Sequence, residues 1–284
     1  MTHSEPLIRT LTLAEIETLI DWAGNEGWNP GLADAEAFQA ADPNGFIGCF
    51  VEGRMAAAIA AIAYGDDFGF IGLYICHPDF RGKGYGKRVW DAGMRHLSGR
   101  SVALDGVPAQ QDNYRRSGFV SQYETVRWSG RLKPDTATPD LSGIEPLLLP
   151  EMLEALSTFD RAFFPAPRLN FLERWTCAPR TTLVAYENGA IRGYGTLRPC
   201  REGYKIGPLF AESQEISERL FQALAASSGY HELHIDVPET NPAFAAFLEK
   251  AGFSRGFVTA RMVSGVAPTR PALPPSGITT LELG

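Results

Sequence analysis

The segment at residues 81–86 has the composition and spacing of a phosphate-binding loop. It reads Arg-Gly-Lys-Gly-Tyr-Gly, follows the apolar run 70–76 and precedes an amphipathic stretch at 87–97. Glycines let backbone N–H groups approach an anion closely, and the first turn of a helix directs its unpaired N–H groups and the positive end of its dipole at the same place. Arg81 and Lys83 add positive charge. The pattern predicts a strand, a loop and a helix that bind a phosphate-containing ligand.

The spacing of the glycines distinguishes this loop from two common kinds of phosphate-binding loop. It lacks the Gly-x-x-x-x-Gly-Lys-Ser/Thr of ATP-binding loops and the Gly-x-Gly-x-x-Gly of dinucleotide folds. It resembles the acetyl-CoA loop of the GNAT acetyltransferase superfamily, Arg/Gln-x-x-Gly-x-Gly/Ala, and residues 74–80 resemble that family's fourth strand and link. A glycine-rich surface turn is the alternative for the hexamer alone. The resemblance implies acetyl-CoA as co-substrate, contacted by Tyr74, Ile75, Cys76, Arg81, Gly82, Lys83, Gly84, Tyr85, Gly86 and Lys87.

A second segment, residues 101–119, resembles the same family independently. It predicts a short strand, a break at a proline and a short helix that ends Tyr-x-x-x-Gly-Phe. In the family this tyrosine protonates the departing CoA thiolate, so the resemblance assigns that role to Tyr114. A packing aromatic is the alternative. The asparagine usual near the start of this helix is absent, and Gln110 or Gln111 lies there, which leaves the contacts to the pantetheine arm open.

A linker and a repeat divide the chain. Residues 131–140 contain two prolines with Thr and Asp and no apolar periodicity, which predicts a linker. An aspartate, a proline two or three residues later and a Gly-Phe pair further on occur in that order from Asp105, and again after the linker from Asp236. Such a repeat indicates two similar domains. We therefore expect the α/β class with a mixed sheet and two tandem GNAT-like domains, arranged as a catalytic domain at 1–130, a linker at 131–140, a degenerate domain at 141–268 and a docking tail at 269–284.

The second copy lacks the residues that carry the chemistry of the first. Residues 206–213 have neither alternate glycines nor a cluster of cations, and Pro208 removes a backbone donor. Leu248 stands where the first copy has Tyr114, and leucine has no proton to give. We expect the second half to bind no CoA and to shape the substrate pocket instead.

Composition excludes several classes of protein. The 284 residues carry a formal net charge of −7, which argues against a nucleic-acid partner. No run of about 18 apolar residues or signal peptide is visible, so the expectation is a cytoplasmic protein without a membrane partner. The four cysteines are widely spaced and the five histidines form no ligand pattern, so we expect no metal. We expect a monomer or a homodimer.

Charge is distributed unevenly along the first half. Residues 1–80 contain twelve carboxylates and two arginines, whereas residues 81–130 contain nine cations and four carboxylates. Such a division would steer a cationic amine to one side and a polyanionic cofactor to the other, although a solvated acidic surface is the alternative.

The loop at 26–31 places a tryptophan between glycines. The predicted acceptor-binding residues are Glu26, Trp28 and Asp34.

The predicted reaction is acetyl transfer from acetyl-CoA to a primary amine of a small, cationic acceptor by direct attack. Backbone N–H groups near 74–76 would polarise the thioester carbonyl. Tyr114 would be the acid, and Glu26 or Asp105 would be a base. Cys76 has no base beside it in sequence, which disfavours a covalent intermediate. The alternatives are a CoA- or acyl-CoA-sensing module without turnover, acylation on oxygen, and a longer acyl chain.

Overall fold

The computed structural model describes residues 5–133, 141–269 and 273–284. Most of the predicted linker therefore lies outside the described residues. The first half contains six strands and four helices, with 3-10 turns at Pro78–Phe80 and Pro108–Gln110. In chain order they are β1 (Leu7–Thr10), α1 (Leu13–Asn25), α2 (Asp34–Ala41), β2 (Phe46–Val51), β3 (Arg54–Tyr64), β4 (Phe68–Cys76), α3 (Tyr85–His96), β5 (Ser101–Gly106), α4 (Gln111–Arg116) and β6 (Val120–Gly130).

The second half repeats the same order of strands and helices. Its elements are β7 (Ile144–Pro146), α5 (Leu153–Asp160), α6 (Leu169–Trp175), β8 (Thr181–Glu187), β9 (Ala190–Pro199), β10 (Tyr204–Ala211), α7 (Gln214–Ser227), β11 (Leu233–Pro238), α8 (Pro242–Lys250) and β12 (Ser254–Ser264). None of the described helices has both the length and the apolar character needed to cross a membrane.

Local sequence explains the first helix. The backbone N–H of Thr12 donates to the Glu15 carboxylate at 2.8 Å, which closes a capping box. The apolar residues that follow at helical spacing are buried, and they are Ile16, Leu19, Ile20 and Ala23. This face packs on the sheet beside the loop at 26–31, so α1 fixes where that loop begins.

All twelve strands of the described residues form one mixed sheet, as the sequence predicts for each half. Its order is β1-β2-β3-β4-β5-β12-β6-β11-β10-β9-β8-β7. The last strand of each half lies in the sheet of the other: β12 pairs with β5 and β6, and β6 pairs with β11. The two halves therefore exchange strands, and the boundary near 130 in the sequence is not a boundary in the sheet.

The exchange is accompanied by a shared core. Phe38 on α2 stacks on Trp175 on α6, with ring centroids 6.0 Å apart and planes 8° from parallel. Both side chains are fully buried. Burying rings of this size together contributes several kcal/mol to stability, so the helices of one half are fixed on those of the other.

Each half contains one parallel strand pair that diverges. β4 pairs with β5 only from Phe68 to Ile71, and β10 pairs with β11 only from Tyr204 to Ile206. In β4 the divergence coincides with a bulge at Leu73, whose φ is +45°. Each half therefore has a gap between the ends of two parallel strands, where α/β proteins commonly bind ligands.

The tail fills the gap in the second half. Ser276 and Gly277 donate backbone hydrogen bonds to Leu209 on β10, and the Ile278 N–H donates to the Asp236 carbonyl on β11 at 3.0 Å. The chain then continues to β4, where a Cβ on Gly72 would lie 1.8 Å from the carbonyl oxygen of Glu282. The tail thus runs from the gap of one half to the gap of the other.

Candidate active site

The gap between β4 and β5 opens into a cavity of about 590 Å³. Most of the chemically interesting residues that the sequence indicates line it, although they come from five separate segments. Those residues are Glu26, Trp28, Tyr74, Ile75, Cys76, Arg81, Asp105 and Tyr114. Arg81, the β4–β5 gap, Tyr114 and the loop at 26–31 therefore meet at one place, whereas the predicted cofactor-binding residues 82–87 are not among the residues that line the cavity.

The glycines of the loop are required for two different reasons. Gly82 and Gly84 have φ of +75° and +82°, which strains any residue with a Cβ, and a Cβ at either would touch nothing within 4 Å. A Cβ at Gly86 would lie 3.0 Å from the Tyr74 hydroxyl. Gly86 therefore allows the first turn of α3 to pack closely on β4.

The loop offers unpaired donors at the start of a helix. α3 begins at Tyr85 with Gly84 as its N-cap, and no acidic residue lies in its first turn. Within the described chain, the backbone N–H groups of residues 82–87 donate to no backbone carbonyl, although the Gly86 N–H is directed at the Cys76 sulfur. This arrangement suits a diphosphate, because several N–H groups and the helix dipole point to one place.

The cations near the loop are held by neighbouring oxygens. Arg81 pairs with Glu26, and its Nε donates to the Cys76 carbonyl at 3.0 Å. The Lys83 ammonium donates to the Asp79 carbonyl at 2.9 Å. Lys87 pairs with Asp91 one turn later on α3. Arg81 therefore links the glycine loop to the loop at 26–31, while Lys87 pairs along its own helix.

Tyr114 lies on α4 with its ring stacked on Trp90, at 5.7 Å between ring centroids. Burial, with a smaller contribution from Tyr74, raises the pKa of its hydroxyl to about 12. No described residue forms a hydrogen bond with that hydroxyl. Tyr114 is therefore a protonated, unoccupied donor at neutral pH that faces the cavity.

Cys76 is unsuited to carrying an acyl group. Burial raises the pKa of its thiol, and the sulfur donates to the Ala56 carbonyl at 3.5 Å. The neighbouring His77 ring nitrogen accepts from the Asp79 N–H at 3.3 Å, so it is engaged elsewhere. A neutral thiol without a base is a poor nucleophile, which favours direct attack by the acceptor.

The loop at 26–31 is held by one cation from each half, Arg127 on β6 and Lys205 on β10. The Trp28 carbonyl accepts from the Arg127 guanidinium at 2.9 Å, and the Asn29 carbonyl accepts from the Lys205 ammonium at 2.9 Å. Burial lowers the pKa of Lys205 to about 8. Arg127 in turn pairs with Asp236 through two hydrogen bonds. The part of the cavity wall that contains Trp28 is therefore held in place by Arg127 and Lys205.

Asp105 lines the cavity but is occupied. Arg261 on β12 donates to both of its carboxylate oxygens, at 2.8 and 2.9 Å. Its carboxylate is fully buried, and burial raises its pKa although Arg261 opposes that shift. To accept a proton, Asp105 would have to weaken this ion pair.

Asp34 lies elsewhere than the sequence suggests. It is fully buried at the start of α2, where it pairs with Arg180 and Arg198 and accepts from the Gly31 N–H at 2.9 Å. It is not among the residues that line the cavity. The expected role in acceptor binding does not agree with this placement, because the carboxylate is used to join α2 to the second half.

Sequence patterns do not identify the residues that the second half contributes. Phe257 and Thr259 on β12, together with Leu281 and Glu282 in the tail, line the cavity. The sequence predicts that the tail at 269–284 docks on the body of the protein, but it does not indicate where. Among the described residues, no group of three or more His, Cys, Asp or Glu side chains could hold a metal ion.

Each half of the chain matches a model of the same kind of domain. Residues 13–119 match the model of the acetyltransferase (GNAT) family, and residues 156–272 match that of an acetyltransferase (GNAT) domain. Holothin acyltransferase from Pseudoalteromonas sp. (strain SANK 73390) is 34% identical over 284 residues, which cover 99% of this chain and 96% of that protein.

Solved structures share the arrangement at lower sequence identity. A putative acetyltransferase from Pyrococcus horikoshii superposes with a TM-score of 0.82 at 21% identity, covering 100% of this chain and 98% of that one. A tandem GNAT protein from the clavulanic acid biosynthesis pathway superposes with a TM-score of 0.64 at 13% identity, covering 93% of this chain and 100% of that one. These likenesses concern the fold.

Proposed function

We propose that this chain, which belongs to the GNAT acetyltransferase family, transfers an acetyl group from acetyl-CoA to a primary amine in the cavity of its first half. The chain is an acyltransferase of GNAT type, and the choice of acetyl group and amine is our inference. The observation that supports it most is a cavity at a diverging strand pair that is lined by Tyr114, whose hydroxyl is free, and by Arg81, the first residue of the uncapped glycine loop.

The residues present fit acetyl-CoA. The N–H groups of residues 82–87 would hold its diphosphate, and the β4 backbone along 72–76 would hold the pantetheine arm, because β4 has no pairing with β5 beyond Ile71. When bound, the thioester supplies the activated acyl group. N–H groups at the Leu73 bulge would polarise its carbonyl, and Tyr114 would donate its phenolic proton to the sulfur.

The acceptor would enter from the side of the loop at 26–31. Glu26 and the face of Trp28 line that part of the cavity, and they suit a small cationic amine through charge attraction and cation–π contact. Glu26 or Asp105 would accept a proton from the amine. Glu26 is the more available of the two, because Arg261 occupies both oxygens of Asp105.

A panel of amines tests the proposal directly. The purified full chain is incubated with acetyl-CoA and with cationic, neutral or anionic amines, while thiol release and product mass are measured. Calorimetry with CoA is run in parallel. We expect acetylation of a cationic primary amine, with a KM for the acceptor that rises with ionic strength. CoA binding without acetylation of any acceptor would favour the sensing module, and products on oxygen or from longer acyl-CoA would change the reaction class.

A further inference from the structure

The tail delivers a carboxylate to the cavity of the first half. Glu282 lines that cavity and is 2% exposed. Its backbone is fixed on both sides: the carbonyl lies against Gly72 of β4, and the N–H donates to the Thr280 hydroxyl at 2.8 Å. The next residue, Leu283, is buried, and its carbonyl accepts from the Tyr64 hydroxyl at 3.1 Å. The side chain is thus presented from a rigid segment.

Glu282 differs from the other buried carboxylates in having no partner. Neither of its carboxylate oxygens has a hydrogen-bond donor among the described residues. Every other carboxylate buried to this degree in the described chain accepts from an arginine, a histidine or a backbone N–H, as do Asp34, Asp42, Asp160 and Asp236. A buried charge without a donor is expensive, so the donor that Glu282 lacks is expected to come from a bound molecule.

Most hydrogen-bonding atoms of the charged groups around Glu282 are engaged with one another or with backbone, although the Nε and Nη2 of Arg198 have no hydrogen-bond partner. Arg127 pairs with Asp236, Arg198 pairs with Asp34, and the Lys205 ammonium donates to the Asn29 carbonyl. Asp105 on the facing strand is likewise held by Arg261. Of the carboxylates that line the cavity, Glu26 and Asp105 carry ion pairs, whereas Glu282 does not.

We propose that Glu282, in place of the ion-paired Glu26 and Asp105, binds the nucleophilic group of the acceptor and takes its proton, an inference that rests on the proposed function and replaces the base named there. The protonated acceptor first loses one proton through Glu282 to solvent. The neutral amine nitrogen then forms a bond to the acyl carbon, the carbon–sulfur bond breaks, a second amine proton passes to Glu282, and the Tyr114 hydroxyl protonates the sulfur. The Glu282 proton leaves to solvent and Tyr114 is reprotonated. The second half thereby supplies the base, and the first half supplies the acid.

The test compares Glu282→Gln with wild type, Glu282→Asp and Glu212→Gln. Glutamine keeps the shape of the side chain but accepts no proton, and Glu212 is an exposed surface residue paired with Arg192. We expect Glu282→Gln to lower kcat/KM for the acceptor by about 10²-fold and to leave CoA affinity within twofold. Glu282→Asp should recover part of the rate, and Glu212→Gln should match wild type.

Thermal unfolding gives a second readout that does not depend on turnover. Because Glu282 has no partner, Glu282→Gln should unfold at the same temperature as wild type or higher; clear destabilisation would mean a structural role and would overturn the inference. Full activity of Glu282→Gln in an active wild-type background would overturn this inference alone. A wild type that acetylates no amine would overturn the proposed function and this inference with it.

Discussion

The two halves contain the same diverging strand pair, but only one of the two gaps is open. Between β4 and β5 the gap is a cavity; between β10 and β11 it is occupied by residues 276–278, which hydrogen-bond to both strands. The tail satisfies backbone groups there that would otherwise be unpaired. A duplicated fold can therefore give up a ligand site by binding a segment of its own chain.

The helices that follow the two gaps differ in a related way. The first turn of α3 has Gly84 as its N-cap, with no side chain to occupy its donors. The first turn of α7 has Ser213, whose side chain accepts from the Ile216 N–H at 3.2 Å. A helix start that is already capped has fewer donors for an anion. The second half therefore has neither the open gap nor the uncapped helix start of the first half.

The largest expected difference between the two halves is in the effect on turnover of changing Tyr114, the proposed acid, and Leu248, its counterpart. Tyr114→Phe should lower turnover by roughly 10²-fold with CoA affinity preserved, because only the hydroxyl proton is lost. Leu248→Phe, the change at the matching position of the second half, should leave turnover within twofold. With a Tyr114 pKa of about 12, the wild-type rate should show no loss of this acid between pH 7 and 10. Steady-state kinetics across that range check both points; an unchanged rate in Tyr114→Phe would show that another group is the acid.

The next effect concerns the loop. Gly84→Val places a β-branched side chain at φ of +82°, which strains the backbone by about 1–3 kcal/mol and shifts the N–H groups of the loop. We expect CoA affinity to fall by about 10- to 100-fold in calorimetry. Ser213→Ala, which removes the cap of α7, should leave CoA affinity unchanged. If Gly84→Val folds and binds CoA with the affinity of wild type, the glycine loop is not what gives the first half its CoA affinity.

A smaller effect tests the filled gap. A Cβ on Gly207 would lie 2.3 Å from the Thr279 carbonyl oxygen, so Gly207→Ala should push the tail from β10 and reduce stability by about 1–3 kcal/mol. CoA affinity should remain within twofold, since the loop at 81–86 is untouched. Chemical denaturation and calorimetry on the same sample measure the two effects. Equal stability of variant and wild type would mean that the tail is not packed there.

The smallest effect concerns the buried amine of the second half. Burial lowers the pKa of Lys205 to about 8, below its value of about 10.4 in an unfolded chain. Above pH 8 the unfolded state therefore binds more protons than the folded one, and stability rises with pH in that window. Relative to Lys205→Met, wild type should gain about 1–2 kcal/mol between pH 7.5 and 9.5 in denaturant titrations. A constant difference between the two proteins would show that Lys205 does not titrate there.

Short patterns predict the family and the tandem organisation, and the comparisons confirm both. The loop at 81–86 and the helix that carries Tyr114 are each specified by neighbouring residues, so local spacing is sufficient to recognise them. Their proposed roles stay predictions, since they depend on a ligand.

Features that join distant parts of the chain were not predictable in this way. The pairing of β12 with β5 joins residues more than 150 positions apart, and nothing in the local sequence of either strand selects that partner. Asp34 is a second example. It lies close in sequence to the loop at 26–31, but its ion-pair partners, Arg180 and Arg198, come from the other half of the chain. Glu282 has only apolar neighbours in sequence, and its position depends on where the tail docks.

The strand exchange has a consequence for when the protein can first work in a cell. β5 leaves the ribosome about 150 residues before β12, which at typical rates of synthesis is a delay on the order of 10 s. During that delay β5 and β6 lack the strand that separates them, and unpaired edges of this kind invite wrong pairing. Since Leu281 and Glu282 also line the cavity, its wall is incomplete on a nascent chain until these residues have emerged. Insertion of β12 between two strands made earlier must therefore wait until nearly the whole chain has been synthesised.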